Sequence, residues 1–162
     1  MLFSSRFTFI MVFFLLTGCG FHLRGSFVLP NGISSLYIQA PMHLANELAV
    51  LLESNGIIVA SASNDADAIL RVEREAYDKR TLSVDSDSGK EREHELVYVI
   101  FYRVLKSNGE ELIPQQTVNL VRDYVFDEDA VLGTSQEEGI LYQEMREDAA
   151  WQILRRLAAW SL

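Results

Sequence analysis

Two stretches of the chain place hydrophobic residues at helical spacing. In the first, four leucines share one helical face: Leu44, Leu48, Leu51 and Leu52. Asn55-Gly56 comes next and supplies the left-handed stop that helix ends favour. We predict a helix over residues 42–55.

A longer stripe closes the chain. Its members follow one another at spacings of four and three: Leu141, Met145, Ala149, Ile153, Leu157 and Trp160. Ser135 followed by Glu138 has the pattern of a capping box, in which the two side chains satisfy backbone N–H groups of the first turn. We predict a long amphipathic helix that begins near Ser135 and packs its stripe on a sheet.

Four segments are rich in β-branched and aromatic residues, as strands are. They are residues 33–40, 68–82, 93–105 and 118–126. The sequence VDSDSGKER joins the second segment to the third, and the Asn108-Gly109 turn signal joins the third to the fourth, so both connections are expected to be hairpins. The short apolar stretch 57–60 is expected to lead into the second strand.

Alternation along 68–82 predicts which way its side chains point. One set comprises Leu70, Val72, Arg74 and Ala76, and the other comprises Ile69, Arg71, Glu73, Glu75 and Tyr77. Side chains of a strand alternate between the two faces of the sheet. We therefore expect an apolar and a charged face along much of this strand.

The order of these elements predicts the fold class. Strand, helix, three strands and helix indicate an α/β fold of the α+β type, with two helices packed on one face of a mixed four-stranded sheet in the order β-α-β-β-β-α. Such an arrangement buries both helical stripes.

A different pattern precedes this domain. Arg6 is followed by the apolar run Phe7 to Leu16, which is too short to cross a hydrocarbon core of about 30 Å. Leucine, two small residues and Cys19 then stand in the order of the bacterial lipobox, which this stretch resembles. We interpret residues 1–18 as a lipoprotein signal peptide, 19–32 as a lipidated tether and 33–162 as the folded periplasmic domain.

Cys19 is the single cysteine of the 162 residues, so it cannot form an internal disulfide. The alternative to lipidation is a buried or accidental cysteine beside an apolar segment. Each buried methylene contributes about 0.8 kcal/mol, so several acyl chains on Cys19 would anchor the protein on a membrane without spanning it. Gly20, rather than the aspartate that signals inner-membrane retention in enteric-type sorting, follows Cys19 and favours the periplasmic side of the outer membrane.

Charge limits the partners of the folded part. The formal net charge is −9, and it becomes −10 when residues 1–18 and their one charge, Arg6, are removed. Such a surface repels phosphates on average, which argues against nucleic-acid binding. Local clusters of cations still bind phosphate when their geometry suits it.

Candidate catalytic groups are scarce. His22, His43 and His94 have no spacing typical of a metal site or of a base beside a nucleophile, and each is interpreted as a surface histidine. The DSDSGK stretch begins like a calcium loop, but Lys90 and Leu96 occupy positions that require glycine and glutamate. We expect a polar hairpin tip, no cofactor, no metal and no enzymatic activity.

Four cations are expected at the tip of the first hairpin: Lys79, Arg80, Lys90 and Arg92. They are a candidate site for the phosphates of a lipid headgroup. The other interpretation is a solvated hairpin whose charges prevent strand-to-strand aggregation, with Glu91 and Glu93 weakening the positive field. The pattern alone favours the second interpretation slightly.

The combination of motifs resembles one family. CGFHLRG follows the lipobox, and residues 121–157 contain R-D-Y-x-F-D, a short polar gap, E-E and L-x-x-x-M-x-x-D-A-A. Together they are similar to the LPS-assembly lipoprotein family LptE over essentially the whole mature chain. The resemblance implies a non-enzymatic protein that plugs the outer-membrane β-barrel LptD, assists its assembly and takes part in lipopolysaccharide delivery to the outer leaflet.

The residues also leave a rival open. Another outer-membrane accessory lipoprotein, such as a pilotin or scaffold for a secretion channel, has the same anchor and no lipopolysaccharide cargo. A polar-surfaced domain suits a plug, because the interior of a β-barrel is polar.

Overall fold

The computed structural model describes residue 29, residues 32–126 and residues 131–160, with the side chains of residues 131–135 excepted. Cys19, His22 and the signal peptide lie outside the described residues. The elements are β1 Ser35–Gln39, α1 Met42–Ser54, β2 Ile58–Val59, a 3₁₀ turn Ser63–Asp65, β3 Ala68–Val84, β4 Glu91–Lys106, β5 Glu111–Val125 and α2 Val131–Ala159.

The described strands form one mixed sheet of five strands, in the order β2-β1-β3-β4-β5. β1 runs parallel to both β2 and β3, while β3, β4 and β5 are antiparallel. The α+β class with two helices and a mixed sheet is confirmed, but the prediction of four strands is wrong. Ile58 donates a backbone hydrogen bond to Ser34, just before β1, and Ala60 donates one to Leu36 of β1, so the stretch 57–60 contains a separate edge strand instead of a lead into β3.

Helix α1 confirms the leucine pattern. It ends at Ser54, its four leucines are buried, and Gly56 adopts φ 81° in the left-handed region just after it. Helix α2 was predicted to begin near Ser135 but begins at Val131. Ser135 therefore lies inside the helix, and the predicted capping box is wrong.

Both helices contribute to a single core on one face of the sheet. Alternate residues of β4 lie on that face and are buried: His94, Leu96, Tyr98, Ile100, Tyr102 and Val104. The stripe of α2 covers them with Met145, Ala149, Ile153 and Leu157, while Leu141 is partly buried and Trp160 remains 45% exposed. Most of the predicted stripe is confirmed.

A β-bulge in β3 changes which side chains face the core. Val72 pairs with Tyr102 and Arg74 pairs with Phe101, so Glu73 is the extra residue. After the bulge Glu75 and Tyr77 share a face with Ile100 and Tyr98, and Arg74 and Ala76 turn to the opposite face. The predicted alternation is therefore wrong beyond Val72, because one inserted residue exchanges the faces.

The hairpins are longer than predicted. β5 was predicted over 118–126 and runs over Glu111–Val125, because Pro114 is tolerated beside a register shift in a strand at the sheet edge. Gly89 and Gly109 have positive φ in the two hairpin turns.

The sheet has two unequal halves. In the proximal half β1 lies beside residues 68–71 of β3. In the distal half β3 continues from Val72 to Val84 with β4 on one side and no described strand on the other. The distal half is thus a three-stranded arm, and its β3–β4 turn is the distal tip.

Candidate functional site

The distal half packs against α2 through polar and aromatic groups. Glu75 Oε1 accepts hydrogen bonds from the hydroxyls of Tyr98 at 2.6 Å and Tyr77 at 2.8 Å. The two tyrosine rings stack at 4.4 Å, and Tyr142 of α2 meets Tyr77 edge-on at 4.9 Å. Burial, followed by the bond to Glu75, raises the pKa of Tyr98 above its ordinary value, so this hydroxyl remains a donor.

A second contact lies closer to the start of α2. Glu138 Oε2 accepts hydrogen bonds from Lys79 Nζ at 3.0 Å and from the Tyr124 hydroxyl at 2.9 Å. Burial raises the pKa of Glu138, but the bonds from Lys79 and Tyr124 lower it by more, and its pKa falls below the ordinary value. The Glu138 carboxylate therefore joins α2 to both β3 and β5.

His94 is buried beside this contact. It is 3% exposed, stacks on Tyr124 at 5.5 Å and meets Phe126 edge-on at 4.9 Å. Nε2 lies 3.4 Å from Glu91 Oε2, yet neither ring nitrogen makes a hydrogen bond to the described residues. The interpretation of His94 as a surface histidine is wrong, because the core face of β4 extends to this position, whereas His43 is exposed as predicted.

The four predicted cations lie on the β3–β4 hairpin, but not as one patch. Lys79 turns toward α2 and binds Glu138. Arg80, on the opposite face of β3, forms an ion pair with Glu95. Arg92 Nε lies 3.1 Å from Asp85 Oδ2, and the backbone carbonyl of Lys90 accepts a hydrogen bond from the Asp85 N–H.

Asp85 also organises the distal tip. Its Oδ1 accepts hydrogen bonds from the N–H and hydroxyl of Ser88 and from the N–H of Asp87. These bonds, with the Ser88 N–H first, lower the pKa of Asp85. The distal tip is a polar turn that is stabilised by hydrogen bonds to the Asp85 carboxylate.

The face of the sheet away from the helices is open. Its centre is a band of partly exposed hydrophobic residues, called here the apolar band: Ala76, Val97, Val99, Phe101 and Val121. Ion pairs flank the band at each end. Arg103 contacts Glu73 at 2.9 Å and Glu111 at 3.3 Å on the proximal side, and Arg80 pairs with Glu95 on the distal side.

Concave sites are found at the other end of the molecule and between the helices. A small apolar cavity of about 20 Å³ in the proximal half is lined by residues that include Leu29, Leu36, Val104 and Trp160. A groove between α1 and α2 has Val50 and Trp151 on its walls and Glu47 and Glu147 at its rim. Within the described residues, no group of three or more His, Cys, Asp or Glu side chains is placed to hold a metal ion.

Reasoning from the sequence missed both contacts with α2, the one built on Glu75 and Tyr98 and the one built on Glu138. Tyr98 belongs to the alternating set of buried residues in β4, so its burial could be predicted from the sequence. The position of Glu75 could not be predicted, because Glu75 faces the core only as a result of the bulge at Glu73. None of the helices in the described ranges is long and apolar enough to cross a membrane.

The fold and its contacts define a class of protein. It is an α+β domain with both helices on one face of the sheet, whose described carboxylates and tyrosines hold α2 in place and whose other face offers a hydrophobic band. An exposed hydrophobic band with a polar rim is typical of domains that bind other molecules.

Comparison with known proteins identifies the family. The family model LptE, described as lipopolysaccharide-assembly, matches residues 33–157. The LPS-assembly lipoprotein LptE of Pectobacterium atrosepticum is 31% identical over 137 residues, covering 82% of this chain and 72% of that protein. The chain belongs to the LptE family, as the motifs predicted.

Solved structures agree with this assignment. The solution structure of an uncharacterized lipoprotein B from Nitrosomonas europaea has a TM-score of 0.73 and 32% identity, covering 88% of this chain and 92% of that one. The crystal structure of the rare lipoprotein B from Shewanella oneidensis has a TM-score of 0.66 and 28% identity, covering 77% and 94%. Both are similar to this chain over most of its length.

Proposed function

We propose that this chain is an outer-membrane lipoprotein that plugs the LptD β-barrel, assists the assembly of that barrel and takes part in lipopolysaccharide delivery to the outer leaflet. The observation that carries the proposal is the match of the LptE family over residues 33–157. The relative from Pectobacterium atrosepticum bears the name of an LPS-assembly lipoprotein.

The surface of the domain supports a role inside a barrel. Barrel interiors are polar, and a plug must present charge to them. Ion pairs such as Arg103 with Glu73 and Arg80 with Glu95 are distributed over the open face. The apolar band between them adds a hydrophobic contact area of the kind that marks interaction sites on soluble domains.

The anchor is part of the same proposal. Cys19 follows the signal peptide, carries the lipid and holds the domain on the periplasmic side of the outer membrane. Several acyl chains on one cysteine give stable attachment, whereas one chain gives only marginal binding. The anchored domain then meets the barrel partner as it is delivered to the same membrane.

Lipopolysaccharide contact is assigned to the distal hairpin. The β3–β4 hairpin carries four cations: Lys79, Arg80, Lys90 and Arg92. Phosphate groups bind strongly to such cations when they replace the carboxylates with which the cations are paired. The carboxylates of Glu138, Glu95 and Asp85 now pair with three of them. Phosphate must therefore compete with these carboxylates, which makes binding selective for a dense cluster of negative charge.

The test is purification of the full chain from its own outer membrane. The lipidated protein with a C-terminal affinity tag is extracted in mild detergent, and the recovered proteins are identified by mass spectrometry. We expect the LptD barrel in near-equal amount. Recovery of a secretion channel instead would establish the accessory-lipoprotein alternative, and recovery of no barrel would overturn the proposal.

A further inference from the structure

The sheet has two long edges with different chemistry. In the distal half, the edge of β3 is charged: within residues 73–80 only Ala76 and Tyr77 carry no charge. The edge of β5 is the reverse, because no charged residue lies between Glu111 and Arg122. Proteins normally protect long edges with charged side chains, because an open edge pairs with other strands. Here β3 has charges along its edge, whereas β5 has Pro114 and a nearby register shift only at its proximal end, and residues 117–121 have no charge, proline or register shift.

Two hydrogen bonds show which backbone groups of β5 point outward. The carbonyl of Thr117 accepts a hydrogen bond from Arg156 of α2, and the carbonyl of Val121 accepts one from Arg122. Phe126 lies an odd number of residues from Thr117 and from Val121, and its N–H points inward and donates to the carbonyl of Arg92 in β4. Backbone groups alternate in direction along an antiparallel strand, so Asn119 also points its N–H and carbonyl outward. Arg156 and Arg122, which donate to these carbonyls, have long side chains that can rotate away from the edge.

The surroundings of this edge specify the strand that fits beside it. On the open face, Val121 belongs to the apolar band and Thr117 lies beside Phe101 of that band. On the helix side, the edge is flanked by Arg156 and by the ion pair between Arg122 and Asp148. A strand added here would therefore place apolar side chains on the open face and polar side chains toward α2. Alternation of apolar and polar residues is the pattern of the strands of a membrane β-barrel.

A second copy of the chain fits less well. Each copy has a formal net charge of −9, so two copies repel each other. Edge-to-edge pairing would also bring the two α2 helices together on the same face of a continuous sheet. The charge and the flanking chemistry both favour a foreign, amphipathic strand.

We propose that β5 between Gln115 and Val121 receives an extended strand of the barrel partner while that barrel is being assembled. This inference rests on the proposed function, and it gives the assembly role a structural basis. Main-chain hydrogen bonds supply the affinity, and the alternating side chains supply the specificity. The strand leaves β5 when it pairs with its neighbours in the closed barrel.

The test uses paired substitutions at one position. Asn119→Pro removes the outward N–H without removing a bond to β4, and Asn119→Ala changes the same exposed side chain while keeping the N–H. Thr117→Lys places a charge on the edge and leaves the backbone intact, so it serves where proline disturbs the fold. Melting curves of all three full-length proteins check that the domain is folded.

Peptides that tile the sequence of the barrel partner serve as probes. We expect at least one of them to slow hydrogen exchange in residues 111–125 of the full chain but not in residues 73–80. Asn119→Pro should weaken binding of that peptide at least about tenfold, the change expected for losing one or two backbone hydrogen bonds. Thr117→Lys should also weaken it, because its charge would lie against the apolar side chains of the incoming strand. Asn119→Ala should bind like the wild type.

Three results overturn the inference. In the first, no barrel peptide slows exchange in β5. In the second, the folded Asn119→Pro and Thr117→Lys proteins bind as tightly as the wild type. In the third, β5 is already protected without peptide and the protection grows with protein concentration, which identifies a second copy as the occupant. Each can occur while the barrel still co-purifies with the wild type, so failure here is distinct from failure of the proposed function.

Discussion

Asp67 and Ser35 are joined by reciprocal hydrogen bonds, in which each residue both donates and accepts. Asp67 Oδ2 accepts hydrogen bonds from the N–H and the hydroxyl of Ser35, both at 2.9 Å, and the Ser35 hydroxyl accepts one from the Asp67 N–H at 3.0 Å. Ser34 donates to the same carboxylate oxygen through its N–H and its hydroxyl. These bonds join the start of β1 to the residue before β3, and so align the parallel pair in the proximal half.

We predict that Asp67→Asn lowers the melting temperature at neutral pH. The Ser34 N–H first, and then the hydroxyls of Ser35 and Ser34, lower the pKa of Asp67 from 3.8 to about 2. A pKa depressed by folding contributes stability that is present above 3.8 and is lost as the pH falls through about 2. The difference between the two proteins should therefore shrink across that window.

Thermal melting at several pH values measures this difference. Asp65→Asn is the matched control, since the structure describes no hydrogen bond to its side chain. An Asp67→Asn protein as stable as the control at neutral pH would contradict the prediction.

Two isoleucines of α2 test the orientation of the helix. Ile153 is 0% exposed and Ile140 is 58% exposed. Ile153→Ala should reduce the free energy of unfolding by about 2–5 kcal/mol, because it leaves a cavity in the core. Ile140→Ala should change it by only about 0.5 kcal/mol. Urea unfolding gives both values, and equal effects would show that the helix presents a different face to the sheet.

The distal hairpin is tested by charge reversal. Arg80→Asp combined with Lys90→Asp should weaken lipopolysaccharide binding and make the remaining binding less sensitive to salt, since the lost contacts are ionic. Lys106→Asp combined with Arg155→Asp is the control, with the same charge change at the proximal end. Binding is measured on the full chain in detergent, beside a melting curve.

If a folded hairpin variant binds lipopolysaccharide normally, these cations protect the sheet edge and do not bind lipopolysaccharide.

A single substitution gives an independent check. Glu138→Gln should strengthen binding, because Lys79 then loses its carboxylate partner. Glu137→Gln removes the same charge at an exposed neighbour and should have a smaller effect.

Cys19→Ala tests the anchor. We predict that the variant is not lipidated and is not cleaved after Gly18, so it retains residues 1–18. Intact-mass measurement of the wild-type protein should show diacylglycerol and a further acyl chain on the cysteine. An unmodified thiol in the mature wild-type protein would remove the basis for the proposed localisation.

The sequence predicted those elements whose side chains follow one regular period. Leu44, Leu48 and Leu52 belong to a single helical face, and the core packs on that face without interruption. The bulge at Glu73 was not predictable in this way, because both sets of side chains remain plausible until the pairing with β4 decides between them. A two-residue strand such as Ile58–Val59 is also too short to produce a pattern.

Parts of the candidate site depended on contacts between distant segments. Ser135 and Glu138 matched a local capping motif, yet the Glu138 carboxylate is bound by Lys79 and Tyr124 from two strands. The cations were placed on the correct hairpin, but Glu91 and Glu93 were expected beside them, and their actual carboxylate partners were not predicted. Asp85 lies across the turn from Arg92, and the register of β3 with β4 sets Arg80 opposite Glu95.

The length of the three-stranded arm has a geometric consequence. From Val72 to Val84, β3 extends about 40 Å beyond the region where β1 lies beside it, at the usual rise of a strand. Leu29 is buried in the proximal half, at the opposite end from the distal tip, and the proposed anchor residue Cys19 precedes it in the sequence. A hydrocarbon core is about 30 Å thick. If the proposed anchor holds the proximal end at one leaflet and the arm lies along the membrane normal inside the barrel, the arm is long enough for its distal tip to reach the level of the other leaflet.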